Sequence, residues 1–184
     1  MPAWAGGASG RDALDRGLPA LLGTAARQIR GPRRGEKALS HDVEYSRLID
    51  ATPDEVFAAF TDPEGQEAFY GQDDEGWIVE SSCDLRVGGV WTVHFGPSRR
   101  ELYVHRHVFE VIERPRRLVM ASTEIRLDGS SFHTKLEFSF EEREGKTLMT
   151  MTQRGFPTTE LRDEHERGLP NAFSRLERVL KMPS

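Results

Sequence analysis

The stretch DLRVGGVW, residues 84–91, decides how the middle of the chain folds. A glycine-rich loop holds a phosphate when a helix begins directly after it, because backbone amides and the helix dipole then point at the anion. Here valines, a tryptophan and a threonine follow, which is the pattern of a strand. We therefore predict that Gly88 and Gly89 take a positive φ, or let two backbones approach closely, as the chain enters a sheet. Asp84 and Arg86 are expected to brace this turn.

Downstream of this stretch, apolar and polar residues alternate in runs of strand length. Short turn sequences such as GPSR (96–99), DGSS (128–131) and REGK (143–146) separate the runs. Regular spacing with short turns predicts an antiparallel meander. The strands after residue 76 are expected over 77–79, 90–95, 101–113, 117–124, 132–141 and 147–153.

Upstream, one strand and two short helices are expected. Residues 43–49 alternate as a strand does. In ATPDEVFAAFTDPEG, Thr52 and Glu55 form a Thr-x-x-Glu capping box, and Pro53 fits the first helical position between them. A second short helix should begin at the following Asp-Pro-Glu and run to about residue 70.

The C-terminal segment is predicted to form one long helix from about Thr158 to Leu180. Pro170 is expected to bend or break it. Its apolar stripe repeats at spacings of three and four, which marks a buried face. The stripe consists of Leu161, His165, Leu169, Phe173, Leu176 and Leu180.

A curved sheet and a long amphipathic helix together predict an α+β fold in which the helix covers the concave face of the sheet. Its antiparallel sheet of six to seven strands would wrap around the C-terminal helix, with the two short helices placed after the first strand. We expect this domain to occupy residues 41–184. Residues 1–40 hold seven Lys or Arg against three acids and are expected to form a basic, flexible extension.

The composition and the net charge limit the classes of partner and the location that we expect. The net charge is −5, and outside the basic extension it is −9, which disfavours nucleic acid. No apolar run approaches the roughly 20 residues that span a bilayer, so no stable membrane insertion is expected. A single cysteine, Cys83, rules out an intrachain disulfide. These features lead us to expect a cytoplasmic protein.

Four stretches together resemble homologues of the activator of the heat-shock protein 90 ATPase, within the START-like (SRPBCC, helix-grip) superfamily. They are ATPDEVFAAFTDPE (51–64), DLRVGGVW (84–91), VFEVIERPRRLVMA (108–121), and TLMTMTQRGF (147–156) followed by HERG (165–168). The likeness covers about residues 41–181. It implies a sheet that grips a helix over an internal cavity for something apolar, and it implies no particular reaction.

The favoured hypothesis is that the cavity binds a small hydrophobic or amphipathic molecule without catalysis. The alternatives are a cyclase- or hydrolase-like enzyme that uses the same cavity, a co-chaperone-like module that binds a protein partner, and a filled core without a cavity. No catalytic residue, metal or cofactor is assigned, and a homodimer stays an open alternative. The residues expected to contact the ligand are Phe60, Phe69, Tyr70, Trp77, Trp91, Tyr103, His105, Phe138, His165, Leu169 and Phe173.

Three histidines near one turn raise the question of a metal site. His105 and His107 are two apart on one strand and therefore share a face. Whether His94, on the preceding strand, shares that face depends on a one-residue choice of register. If it does, three imidazoles could converge on a metal. No metal-binding sequence pattern supports this, so a metal is not expected.

His165 has two interpretations. It could hydrogen-bond a ligand or act as a base from the cavity wall, or it could be satisfied by a backbone carbonyl near the helix start.

The strand carboxylates Glu110, Glu124 and Glu137 are weaker candidates. A carboxylate retained in an apolar cavity would have a raised pKa and could do acid–base work. Glu137 is expected to face solvent, and Glu110 to pair with a strand neighbour such as an arginine. Catalysis by Cys83 is not expected, because Asp84 beside it opposes thiolate formation.

Overall fold

The computed structural model describes residues 41–71 and 76–182. The basic extension predicted for residues 1–40 lies outside the described residues. Ten elements follow one another in the described part: β1 Val43–Ile49, α1 Pro53–Thr61, α2 Pro63–Tyr70, β2 Ile78–Cys83, β3 Val90–Ser98, β4 Glu101–Glu113, β5 Arg117–Ile125, β6 Ser131–Arg143, β7 Lys146–Arg154 and α3 Thr159–Leu180.

The seven strands form one curled antiparallel sheet in the order β1-β7-β6-β5-β4-β3-β2. Strands β2 to β7 follow one another as a meander, and β1 pairs with β7 at one edge. Helix α3 contacts β1, α1 and α2. The predicted α+β helix-grip fold is confirmed.

Two strand predictions need correction. Strand β2 runs over residues 78–83 instead of 77–79, because pairing with β3 continues through a Glu-Ser-Ser sequence that has little strand propensity of its own. Strand β3 continues to Ser98, so GPSR is not a turn. The register shifts between Phe95 and Ser98, which is a bulge, and the chain reverses only at Arg99 and Arg100.

The capping predictions for the two short helices hold. The Thr52 hydroxyl accepts from the backbone N–H of Glu55, and the Glu55 carboxylate accepts from the backbone N–H of Thr52 at 2.8 Å. Pro53 occupies the first position of α1, and Asp62 caps α2. The caps satisfy backbone donors that would otherwise have no partner at these helix starts.

Helix α3 is continuous across Pro170, so of the two predicted outcomes, a bend or a break, the break is excluded. A proline inside a helix removes one backbone hydrogen bond, the one to the carbonyl four residues earlier. Here that carbonyl belongs to Glu166, and both Glu166 and Pro170 are exposed, so water can reach it. Packing of the apolar stripe against β1, α1 and α2 then holds the helix together on its other side.

The corner at residues 84–91 uses its two glycines in different ways. Gly88 has a φ of +78°, while an added Cβ at Gly89 would lie 2.1 Å from the carbonyl oxygen of Asp84. The backbones of this corner and β4 meet here: Gly88 N–H donates to Phe109 O at 2.8 Å, and Phe109 N–H donates to Gly89 O at 3.0 Å. Arg86 Nε donates to Asp84 Oδ2 at 2.7 Å, so the predicted brace is confirmed.

The core is an aromatic cluster centred on Phe60 of α1. Its ring lies 4.5 Å from the ring of Phe138, 5.4 Å from that of Phe69 and 5.5 Å from that of Trp91, measured between centroids. Trp91 also donates from Nε1 to the Ser81 hydroxyl at 2.9 Å. Within residues 41–71 and 76–182, no helix combines the length and apolar character that a membrane crossing requires.

Candidate functional site: a cavity with a buried carboxylate

A cavity of about 300 Å³ lies at the concave face of the sheet, between strands β3 to β7 and helices α2 and α3. Eight of the eleven residues predicted to contact a ligand line it. They are Phe69, Tyr70, Trp77, Tyr103, His105, Phe138, His165 and Leu169. Their role as ligand contacts stays a prediction.

The remaining three predicted residues, Phe60, Trp91 and Phe173, are not among the lining residues. Each is at most 1% exposed and packs in the hydrophobic core. Their size and spacing matched those of the lining aromatics, and sequence periodicity cannot separate a residue that faces a cavity from one buried behind it. We assign them to stability of the fold.

The polar end of the cavity is organised by Glu124 of β5, whose side chain is 3% exposed. Its Oε2 lies 2.6 Å from His165 Nε2 and 3.2 Å from His105 Nε2. Its Oε1 accepts from Gln153 Nε2 at 2.6 Å. Three side chains therefore converge on one buried carboxylate, which is how a buried charge is retained.

The sheet register and α3 bring these groups together. His105 and Glu124 are direct partners in the β4–β5 pairing, so their side chains stand next to each other on the same face. Gln153 comes from β7 and also donates to Thr134 Oγ1 at 2.9 Å. His165 comes from the second turn of α3, where its Nδ1 lies 2.9 Å from the carbonyl oxygen of Leu161.

A second polar group borders the first. The Tyr70 hydroxyl lies 3.0 Å from His107 Nε2 and 3.5 Å from His105 Nδ1. Two buried polar atoms, His107 Nδ1 and Ser122 Oγ, have no hydrogen-bond partner among the described residues. His107 and Ser122 are opposite each other in the β4–β5 register. An unsatisfied buried polar atom costs about 1–3 kcal/mol, and of these two residues only His107 lines the cavity.

The rest of the lining is apolar, and the mouth is charged. Leu136, Met151 and Leu169 line the apolar part. At the mouth, Arg126 Nη1 pairs with Glu164 Oε2 at 3.2 Å, and both side chains are partly exposed. The cavity therefore offers apolar walls, a buried polar end and a charged opening.

The buried groups titrate differently from free ones. Burial lowers the pKa of His105 to about 4 and that of His107 to about 3, so both imidazoles are neutral near pH 7. Burial also raises the pKa of the Tyr70 hydroxyl, and the charge of Glu124 raises it further.

Glu124 and His165 form a hydrogen-bonded pair, and their pKa shifts favour the charged form of each partner. Burial acts to raise the pKa of Glu124, but the neighbouring His105 and His165, with the hydrogen bond from Gln153, outweigh it and hold the pKa below its usual range. Burial acts to lower the pKa of His165, but the hydrogen bond to Glu124 and the charge there raise it. Both nitrogens of His165 face acceptors, a carboxylate and a carbonyl, which fits a doubly protonated ring.

Comparison with known proteins identifies the family. Residues 50–181 match the family model of activator of Hsp90 ATPase homolog 1-like protein. The chain belongs to this family. A search among curated proteins finds no match.

Several solved structures have the same fold as this family member. Protein CV1439 from Chromobacterium violaceum is 16% identical with a TM-score of 0.68, covering 78% of this chain and 99% of its own. Protein Ms6760 from Mycobacterium smegmatis is 16% identical with a TM-score of 0.64, covering 78% and 92%. A protein from Arthrobacter aurescens is 22% identical with a TM-score of 0.64, covering 78% and 87%. At these identities the likeness shows the fold alone. Family and fold together support a ligand-binding or co-chaperone-like domain.

The sheet register decides the arrangement of the three histidines. His94 pairs with Val104, whereas His105 pairs with Val93, so His94 lies on the face opposite His105 and His107. The alternative in which His94, His105 and His107 converge on one metal is therefore excluded.

His165 satisfies parts of both interpretations. Its Nδ1 bonds a backbone carbonyl, and its Nε2 reaches Glu124 at the cavity wall.

The expected carboxylates also differ in part from the structure. A raised pKa for a retained cavity carboxylate was wrong for Glu124, because its histidine neighbours outweigh burial. Glu110 pairs with Lys135 instead of an arginine. Glu137 is only partly exposed and pairs with Arg117 at 2.6 Å. Burial raises the pKa of the Cys83 thiol, and the absence of a catalytic role for Cys83 stays a prediction.

Sequence reasoning did not predict that Glu124 organises the polar end of the cavity. It also did not identify Gln153 or His107 as site residues. A signal was present in the strands. In β5 the inward alternation runs Met120, Ser122, Glu124, and in β7 Gln153 follows two methionines in the same way. Polar residues that stay in phase with an apolar face mark a polar pocket within it.

Proposed function

We propose that this domain binds a small amphipathic molecule in the cavity, without catalysis. The observation that carries the proposal is the division of the lining into an apolar part and a buried polar end around Glu124. Ligand pockets of roughly 300–1,000 Å³ typically combine apolar walls with a few fixed polar groups. At about 300 Å³ this cavity suits a compact ligand, such as one or two fused rings.

The two ends of the cavity would contribute differently to binding. Apolar burial against residues such as Leu136 and Met151 supplies affinity at roughly 25 cal/mol per Å². The polar end sets orientation, because the polar side chains of Tyr70, His105 and His165 line the cavity there. His165 Nε2 lies 2.6 Å from Glu124 Oε2, so a protonated His165 balances the carboxylate charge. A neutral hydroxyl or carbonyl on the ligand therefore fits better than a full charge, which would be left unpaired.

Gly168 of α3 offers a way to block this site. It lines the cavity yet is exposed, which places it at the mouth, and an added Cβ there meets no atom within 4 Å. Gly168→Trp should therefore preserve the fold while its ring covers the opening. We expect at least a tenfold loss of affinity for prodan, a neutral naphthalene probe with one carbonyl, compared with wild type. Fluorescence titration, with the blue shift of bound prodan as the signal, measures this.

Glu166→Trp is the matched control, since Glu166 is exposed on the same helix and does not line the cavity. It should bind prodan as wild type does. Equal binding by wild type and Gly168→Trp would place the probe elsewhere, and no binding by wild type would count against a ligand-binding cavity. Circular dichroism spectra of both variants establish that the fold is kept.

A cyclase- or hydrolase-like enzyme is the second candidate, and the His165–Glu124 contact of 2.6 Å favours it. A histidine held by a carboxylate at a cavity wall can transfer a proton to or from a bound substrate. Incubating metabolite extract with wild type and with His165→Ala, followed by mass spectrometry, separates the two functions. A compound consumed by wild type alone supports the enzyme, whereas a compound retained unchanged by both supports binding. A cytoplasmic location stays a prediction, and a homodimer stays an open alternative.

A further inference from the structure

The polar end of the cavity has the composition and geometry of a metal site that the sequence did not predict. His105 Nε2, His165 Nε2 and one oxygen of Glu124 all lie within 4.8 Å of one another. Two ligand atoms that bind one metal at about 2.1 Å lie about 3 Å apart at right angles and about 3.4 Å apart at tetrahedral angles. From Glu124 Oε2, His105 Nε2 at 3.2 Å already has this spacing, and His165 Nε2 at 2.6 Å would move slightly away.

The three groups sit on separate, rigid elements. His105 and Glu124 are fixed side by side by the β4–β5 register, and His165 is supplied by α3. All three are largely buried, with side chains 13%, 3% and 17% exposed, respectively. Small rearrangements of rotamer would suffice to close the triangle around an ion, because no strand or helix has to move.

The outer contacts also match those of metal ligands. A metal-binding histidine usually donates its other ring N–H to a carbonyl or carboxylate, and a binding carboxylate is itself hydrogen-bonded. His165 Nδ1 faces Leu161 O at 2.9 Å, and a metal ion would displace the proton that Nε2 shares with Glu124. Gln153 Nε2 donates to Glu124 Oε1 at 2.6 Å, which leaves Oε2.

We propose that His105, Glu124 and His165 bind one divalent transition-metal ion at the polar end of the cavity. Two imidazoles and one carboxylate suit Zn²⁺, Fe²⁺ or Co²⁺, whereas Mg²⁺ and Ca²⁺ prefer oxygen ligands throughout. Three protein ligands leave coordination positions open, and these face the cavity. A hydroxyl or carbonyl of a cavity ligand can occupy one of them. The site itself does not depend on the organic ligand proposed above.

The test uses the full-length, tag-free chain, treated with EDTA and dialysed. Titration with Zn²⁺ by calorimetry should give about one ion per chain, and Co²⁺ should produce visible absorption bands that Zn²⁺ abolishes. Glu124→Gln and His165→Ala are each expected to weaken Zn²⁺ binding by more than about 100-fold, and Gln153→Met by about tenfold, as for outer contacts of metal sites. Mg²⁺ should give no signal at the same concentration.

The matched controls are His94→Ala and His133→Ala. His94 lies on the opposite face of the sheet, and His133 is exposed and contacts Thr123. Both variants should bind Zn²⁺ as wild type does. Absence of Zn²⁺ and Co²⁺ signals in wild type overturns the proposal, even if a ligand variant fails to fold, and so does loss of binding in the control variants. Prodan binding by metal-free protein tests the cavity separately, so the two proposals can fail independently.

Discussion

Phe60→Ala is expected to lower the free energy of unfolding by about 3–5 kcal/mol, the usual cost of truncating a fully buried phenylalanine. The side chain is 0% exposed, and its ring meets the rings of Phe69, Trp91, Phe138 and Phe140. These neighbours come from α2, β3 and β6, so the loss would leave a void where three elements meet. Urea unfolding followed by circular dichroism measures the change.

Two variants bracket this result. Phe60→Leu keeps most of the volume and should cost about 1–2 kcal/mol, since hydrophobic swaps of similar volume are tolerated best. Leu48→Ala truncates a side chain that is 52% exposed and should change stability by less than about 0.5 kcal/mol. If Phe60→Ala behaves like Leu48→Ala, Phe60 is not the centre of the core.

Gly89→Ala is expected to be the second most damaging single change, with a loss of about 3 kcal/mol, at the upper end for forcing atoms into a packed site. The new Cβ would lie 2.1 Å from the Asp84 carbonyl oxygen and 2.9 Å from that of Arg86. Both are backbone atoms, so no side-chain rotation relieves the contact. The same urea experiment applies.

Gly88→Ala is the matched control. Gly88 is adjacent to Gly89, but its backbone conformation, and not a close contact, requires glycine. Gly88 has a φ of +78° and open space around it, so alanine meets only the conformational penalty of about 1–2 kcal/mol. Gly88→Asn should cost less than Gly88→Ala, since asparagine tolerates the left-handed region. A smaller loss for Gly89→Ala than for Gly88→Ala would contradict this account of the corner.

The fold could be predicted because its signals are local. The capping box at Thr52, the alternation in the strands and the helical stripe through His165 each act within a few residues, and the structure agrees with them. No break occurs at Pro170, because packing of the whole helix outweighs one lost hydrogen bond. The end of β3 was predicted too early, because the bulge after Phe95 depends on pairing with β4.

The candidate site was predicted only in part, because it depends on register and on long-range packing. The helical stripe predicts that His165 faces the cavity, whereas the sequence leaves open which face of its strand His105 occupies. That Glu124 lies opposite His105, and that α3 brings His165 to the same oxygen, follows from pairings far apart in sequence. The same dependence explains why the sign of the pKa shift of Glu124 was mistaken. Burial could be guessed from the strand pattern, but its two histidine neighbours could not.

The central claim is that the cavity holds a small molecule, and native mass spectrometry of freshly purified protein tests it most directly. Wild type should carry an additional small-molecule mass that organic extraction removes, and Gly168→Trp, purified in parallel, should lack that mass. Glu166→Trp should carry it. A bare wild-type chain before extraction that also fails to take up added prodan, or the same adduct on wild type and Gly168→Trp, would contradict the claim.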